Sequence, residues 1–298
     1  MTRIARLAAS AAAAFVVACM TLPLSVGPAG PSAASAAEKD APAALAPDVV
    51  RRGKAAAGLL DFGTGTHGTA FCVDSSGVFV SAASSARLAK DGTAKLVLNP
   101  GEKDERSITA RLLRADPDAD LSIFRADGPG PFEPLRFADD VAVIETTAVT
   151  VFGYPIGRPA GLAKDELPAV VVTSGRVTSL RRSKGELSTI VVDALSPTGG
   201  CPVLLADGRV VGMTRQSVRA VGVGGTQVVP VSRVARALER PVITFAPGPV
   251  PAADARRPRE FTIRVDVVGP GAPEPTVDLT FGDGGGPAGG SRTVRAKA

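Results

Sequence analysis

Between residues 69 and 230 apolar positions recur with a period of about two in short runs, and Gly, Pro, Asp and Ser separate the runs. The runs cover 69–73, 78–81, 95–98, 107–114, 121–125, 148–152, 169–173, 175–180, 189–192, 203–205, 210–213 and 226–230. Such lengths, bounded by turn residues, predict β-strands. Ser75-Ser76-Gly77 closes the first pair, and Asp116-Pro117-Asp118 introduces the run at 121–125. Asp207-Gly208 supplies a tight hairpin turn. Strands at this spacing predict an all-β sandwich or barrel. Two helical patterns flank them. One covers 47–59, amphipathic with Asp48 early in it, and the other covers 232–238 with Ser232 as N-cap.

Beyond Arg240 the pattern changes. Residues 245–259 contain four Pro and read as a linker. Residues 261–268 and 276–281 are expected to pair as a hairpin across the Pro/Gly segment 269–275. From Gly282 the chain is Gly-rich and is expected to be disordered.

The N-terminus reads as an export signal. Arg3 and Arg6 precede a mostly apolar run at 7–24, and a small-residue stretch at 32–37 offers cleavage near Ala36 or Ala37. Two alternatives stand beside it: a retained membrane anchor, and a lipoprotein signal with Cys19 as the lipidated residue. All three place the remainder outside the cytoplasm, periplasmic or extracellular.

Composition narrows the chemistry. Of 298 residues one is His, three are Cys and none is Trp. Zinc sites built on two or three His are excluded, and no metal, nucleotide or haem motif is present. Gly222-Val223-Gly224-Gly225 opens no helix and has no Lys, so it is no phosphate cradle. No cofactor is expected. The net charge is +5, falling to +3 without residues 1–37, and it is spread along the chain. That gives no electrostatic footprint for nucleic acid. The cluster Arg181-Arg182-Ser183-Lys184 reads as a hairpin tip, or alternatively as a docking contact for an acidic partner. Membrane attachment is expected only through an uncleaved signal or lipidation at Cys19. Cys72 and Cys201 remain in the mature chain, either bridged or as buried thiols.

The segments from Gly63 to Leu238 resemble a trypsin-like serine protease domain of the bacterial HtrA type. Gly68-Thr69-Ala70-Phe71 is similar to that family's Gly-Ser-Gly-Phe strand, and residues 78–85 to the strand leading to its catalytic His. Asp118 to Ile123 is similar to the segment bearing its catalytic Asp. Val151 to Gly157 matches its Gly-Tyr-Pro-x-Gly turn, and Ser174 to Val177 resembles a Gly-x-Val strand of the second barrel. Pro197 to Pro202, followed by Asp207 to Gly212, resembles the nucleophile loop and its hairpin. The resemblance implies two six-stranded antiparallel β-barrels and a short closing helix. It implies a division into 1–37 (signal), 38–60 (approach segment), 61–241 (protease-like domain) and 242–298 (Pro/Gly-rich linker and hairpin or tail). Residues 241–298 are too few and too rich in Pro and Gly for the PDZ-like module that HtrA-type proteases usually carry.

The mechanism of that family needs a His base, an Asp that orients it, a nucleophile and backbone donors for the oxyanion. The resemblance puts Asp120 in the Asp position and Ser84 in the His position. An aliphatic hydroxyl is no base near neutral pH, so the triad is degenerate. Two registers are open for the nucleophile. Aligned on Pro202 it falls on Gly199, and Pro197 removes an oxyanion N–H. Aligned on Gly199-Gly200 it falls on Thr198. The resemblance also brings Cys72 beside the loop holding Cys201, and implies a disulfide between them. The resulting expectation is an exported protease homologue without catalysis, binding a peptide or protein or serving as a scaffold. The alternative is a hydrolase with a rearranged site using Thr198, or neighbouring Ser196 or Ser85, with His67 as base. A third reading places binding in the C-terminal hairpin region.

Overall fold

Helix α1 (Pro47–Ala56) begins with proline at its first position, where the missing N–H costs no hydrogen bond. The computed structural model describes residues 45–240 except 64, 158–162, 164–165 and 216–224, together with the backbone of strands at 242–245, 263–266, 276–280 and 291–295. The helix stops at Ala56. Residues 57–59, read from the sequence as its last turn, instead start the first strand, because Ala57 to Leu60 are buried among strands.

Six strands close the first barrel: β1 (Ala57–Asp61), β2 (His67–Asp74), β3 (Val78–Ser81), β4 (Thr93–Leu98), β5 (Arg106–Asp116) and β6 (Leu121–Ala126). The neighbour order is β1-β2-β3-β6-β5-β4, all antiparallel. Six more close the second barrel: β7 (Ala148–Gly153), β8 (Val171–Ser183), β9 (Glu186–Val192), β10 (Pro202–Leu204), β11 (Val210–Thr214) and β12 (Thr226–Pro230), in the order β10-β11-β12-β9-β8-β7. Closure leaves neither sheet with a free edge. The two-barrel expectation therefore holds. The runs 169–173 and 175–180 prove to be one strand, β8, with register shifts at 177–179 and 181–182.

Each barrel fills with its own side chains. Leu59, Phe79, Leu96, Leu121, Ile123 and Phe124 pack in the first, and Val149, Val151, Val177, Ile190, Val203 and Val228 in the second. Full burial of one such side chain contributes about 1.5–3 kcal/mol. Phe152 and Tyr154 leave the end of β7 and pack with the first core; the Tyr154 hydroxyl donates to Ala57 O at 3.2 Å.

Two helices complete the domain. Helix α2 (Ala83–Leu88) follows β3 directly. Helix α3 (Val231–Leu238) follows the second barrel and buries Val231, Val234, Ala237 and Leu238, one face at helical spacing. Its N-cap is Pro230 with no side-chain cap, not Ser232. Arg114 Nη1 donates to Ala237 O at 2.8 Å, satisfying a carbonyl of the last turn.

The C-terminal pairing differs from the sequence expectation. Strand β13 (Val242–Phe245) pairs with β14 (Ile263–Asp266), and β15 (Thr276–Thr280) pairs with β16 (Ser291–Arg295). The segments at 261–268 and 276–281 each have a partner elsewhere, so they do not form one hairpin. Residues 291–295, read as disordered, form a strand. The signal at 1–37 and the cluster at 222–224 lie outside the described residues. Among the described residues no helix is long and apolar enough to cross a membrane.

Candidate functional site

The polar groups of the interior gather where β2, β3, α2 and the loop 195–201 meet. Ser81 ends β3 with its side chain fully buried. Its hydroxyl donates to Thr69 O at 2.6 Å and shares a hydrogen bond with Ser85 Oγ at 2.8 Å. Ser122 Oγ donates to Ala82 O at 2.8 Å. These groups answer one another, as burial demands.

Ser84 lies in α2, one residue after Ala83. Ala83 N donates to Asp120 Oδ1 at 3.2 Å, so the helix start and the Asp120 carboxylate are held together. Asp120 sits at φ +52° at the end of the turn before β6, where Asp120 N donates to Pro117 O and Ala119 N to Asp116 Oδ1. Ser84 and Asp120 are both engaged by further contacts.

Thr198 comes from the other side. It is 5% exposed, and its hydroxyl shares a 2.7 Å hydrogen bond with Thr69 Oγ1 across the two barrels. Thr69 Oγ1 also accepts from Tyr154 N at 2.8 Å. Thr198 O accepts from Thr214 Oγ1 at 2.9 Å, from Cys201 Sγ at 3.2 Å and from Ser196 Oγ. Cys201 N donates to Thr214 Oγ1 at 3.0 Å. Gly199 and Gly200 are buried beside it. Gly200 has φ +90°, and a Cβ there would lie 2.2 Å from Thr69 O. Only glycine fits that approach.

His67 begins β2 and is nearly buried. Its Nδ1 lies 3.3 Å from Gly157 O, and it contacts neither Asp120 nor Thr198 among the described residues. It does share a strand face with Thr69, two residues on.

The expected disulfide is absent: Cys72 and Cys201 are both free buried thiols. They belong to different cores, Cys72 to that of the first barrel and Cys201 to that of the second. Each S–H has a local carbonyl acceptor, Asp74 O at 3.2 Å for Cys72 and Thr198 O at 3.2 Å for Cys201. Burial pushes the Cys72 thiol up to about 12. No cluster of three or more potential metal ligands occurs among the described residues.

Residues 68–213 match the family model of the trypsin-like peptidase domain. This stretch has the trypsin-like peptidase fold. Among solved structures the chain is similar to Deg5, with TM-score 0.51 and 19% identity over 63% of this chain and 90% of that one. It is also similar to the HtrA-type protease AlgW with tripeptide, with TM-score 0.50 and 19% identity over 62% of this chain and 59% of AlgW. A comparison with curated proteins gave no match. The fold of the peptidase domain is thus the HtrA-type one expected from the motifs.

Sequence reasoning did not single out Thr69, Ser81, Thr214 or Tyr154 as parts of this centre. The available signal was their type. For Thr69, Ser81 and Thr214, small hydroxyl residues stand at buried strand positions where neighbouring strands carry Val, Leu or Phe; Tyr154 follows β7 and gave no such signal.

Proposed function

We propose that the protein is an exported trypsin-like peptidase homologue without peptidase activity, whose domain binds a peptide or protein in the cleft between its barrels. The observation that carries this reading is the engagement of Thr198. Its hydroxyl is hydrogen-bonded to Thr69 Oγ1, a group that cannot accept a proton as a general base. Gly200, which tolerates no Cβ, favours the register that puts Thr198 in the nucleophile position. The Ala83–Asp120 bond favours Asp120 and Ser84 as the Asp and His positions. On that reading the acid and its helix remain while the base is replaced by a hydroxyl.

Binding is supported by apolar side chains left in solvent near the loop. Leu195 is 78% exposed and precedes Ser196; Ile156 is 56% exposed and precedes Gly157. Val171 and Val172 open β8 opposite Gly153 and Phe152. Exposed apolar groups beside a cleft mark a contact surface. AlgW, similar in fold, holds a tripeptide. Export rests on the N-terminal pattern, and the boundaries 61–241 and 242–298 are offered with the same reading. The barrel itself takes in Ala57–Asp61 as well.

Two measurements test this. The full chain should neither label with a fluorophosphonate probe nor turn over casein or peptide esters; labelling of wild type lost in Thr198→Ala would overturn it. Equilibrium binding to a synthetic decapeptide library should give saturable ligands, and none would remove the binding role. The alternative hydrolase has one observation in its favour: His67 and Thr69 share a strand face, and Thr69 touches Thr198. Its base nitrogen Nδ1 is already against Gly157 O. Hydrolysis that survives both His67→Ala and Thr198→Ala would sink it.

A further inference from the structure

Arg215 follows Thr214 at the end of β11. Its Nε is buried and has no hydrogen-bond partner. It takes part in none of the ion pairs among the described residues. A guanidinium donor taken out of water and left unmet is costly, and its presence points to a ligand that meets it.

The surroundings define the ligand. Arg215 N donates to Gln227 O at 2.8 Å, and the neighbouring Thr226 Oγ1 donates to Ala194 O at 2.7 Å. This chain of bonds sets Arg215 on the same rim as Leu195, which is 78% exposed. Gly200 N donates to Thr214 O at 2.8 Å, so the loop 196–200 lies directly beside the residue before Arg215. Among the described residues the N–H groups of Ser196 and Thr198 donate to no protein acceptor, so the loop offers donors of its own. Unmet donors with a fixed cation and an adjoining apolar side chain match a carboxylate attached to an apolar group. The planar guanidinium fork suits the two oxygens of a carboxylate.

We propose that Arg215 anchors a carboxylate-binding site on this rim, and that the ligand is the C-terminal carboxylate of a peptide whose last side chain rests on Leu195. This inference rests on the peptide-binding reading and narrows it to peptides with a free C-terminus.

The test uses the full chain with N-acetyl-L-leucine and N-acetyl-L-leucinamide at constant ionic strength, followed by NMR or calorimetry. The acid should bind about 10-fold more tightly than the amide. Arg215→Gln should abolish that preference, and Arg215→Lys, which keeps the charge but not the fork, should retain part of it. Circular dichroism checks that both variants fold. An acid that binds no more tightly than the amide, or an unchanged preference in Arg215→Gln, overturns the site. Library peptides amidated at the C-terminus that bind as well as free ones would overturn this inference while leaving the peptide-binding reading intact. Absence of all library binding removes both.

Discussion

Replacing Gly200 by alanine tests how closely the loop at 195–201 is pressed against the first barrel. The added Cβ would stand 2.2 Å from Thr69 O, 2.7 Å from Ser81 Oγ and 3.0 Å from Ala82 N, and the backbone holds φ +90°. Three costs combine. A left-handed backbone on an L-residue costs about 1–2 kcal/mol. Overpacking against backbone that cannot yield costs about 1–3 kcal/mol. Disturbing the 2.6 Å bond from Ser81 Oγ to Thr69 O adds about 1 kcal/mol. The total is about 3–6 kcal/mol, a large part of the ~5–15 kcal/mol that holds a domain folded. Gly185 is the control. It sits at the β8–β9 tip at φ +83° with nothing within 4 Å of its Cβ position, so Gly185→Ala meets only the backbone cost of about 1–2 kcal/mol. For a domain of this size each kcal/mol lowers Tm by about 2–4 °C. Scanning calorimetry should therefore place Gly200→Ala about 5–15 °C below Gly185→Ala. Equal melting temperatures for the two variants would refute the close approach and with it the register built on Gly200.

Thr69→Val should destabilise more than Thr198→Val, because it removes the hydrogen-bond partner of Thr198 Oγ1 and also the acceptor of Tyr154 N; a double-mutant cycle by urea unfolding should give a coupling of about 1 kcal/mol, and zero coupling would deny the 2.7 Å bond. The Cys72 thiol is neutral when folded because burial raises it to about 12, from 9.0 when exposed, so its contribution is complete below pH 9 and is lost as pH rises through that interval. At pH 10 wild type should have lost about 1.4 kcal/mol more, relative to pH 8, than Cys72→Ala, and equal losses would place the thiol in water. Hydrogen bonds from the Arg209 backbone hold the Asp207 carboxyl below its ordinary range, so its stabilisation is present at neutral pH and disappears as pH falls through the folded value; Asp207→Asn should flatten the acid limb of the stability curve.

The strands that alternate against one face of water were legible. Those that do not alternate were not. Strand β1 is buried from Ala57 to Leu60, so it carries no period of two, and its alanine start continues the Ala-rich helix before it. Gly175 divided the reading of β8 into two strands. In the fold it is where the strand presses on its surroundings, with a Cβ position 2.3 Å from Asp193 Oδ1 and 2.5 Å from Ala194 N. The cysteine pairing was misread for another reason. Proximity of a strand and a loop says nothing about direction, and here the two residues belong to different cores. At the C-terminus two alternating segments seemed natural partners, yet Val242–Phe245 and Ser291–Arg295 compete for them and win. At the site the motif spacing drew attention to the loop at 197–202, but the partner of Thr198 lies 129 residues away on β2, and no spacing within the loop specifies it.

The distribution of satisfied and unsatisfied groups bears on what the domain is built to do. A hydrolytic centre keeps its nucleophile next to a base and leaves room for a reacting carbonyl. Around Thr198 the hydroxyl is hydrogen-bonded to Thr69, the carbonyl accepts from three groups, and Ser81 and Ser85 serve each other, which is what the proposed reading expects. Such a network ties one barrel to the other, and Thr198→Ala would weaken the fold before it affected any chemistry. Among the described residues, one of the unmet buried donors, Arg215 Nε, lies one residue beyond that network. A buried guanidinium N–H without an acceptor costs stability, and an apolar group at this position would relieve that cost. On the proposed reading, an unmet donor beside a self-satisfied centre suits a binding site. The comparison of N-acetyl-L-leucine with its amide therefore bears on whether the fold exchanged catalysis for recognition.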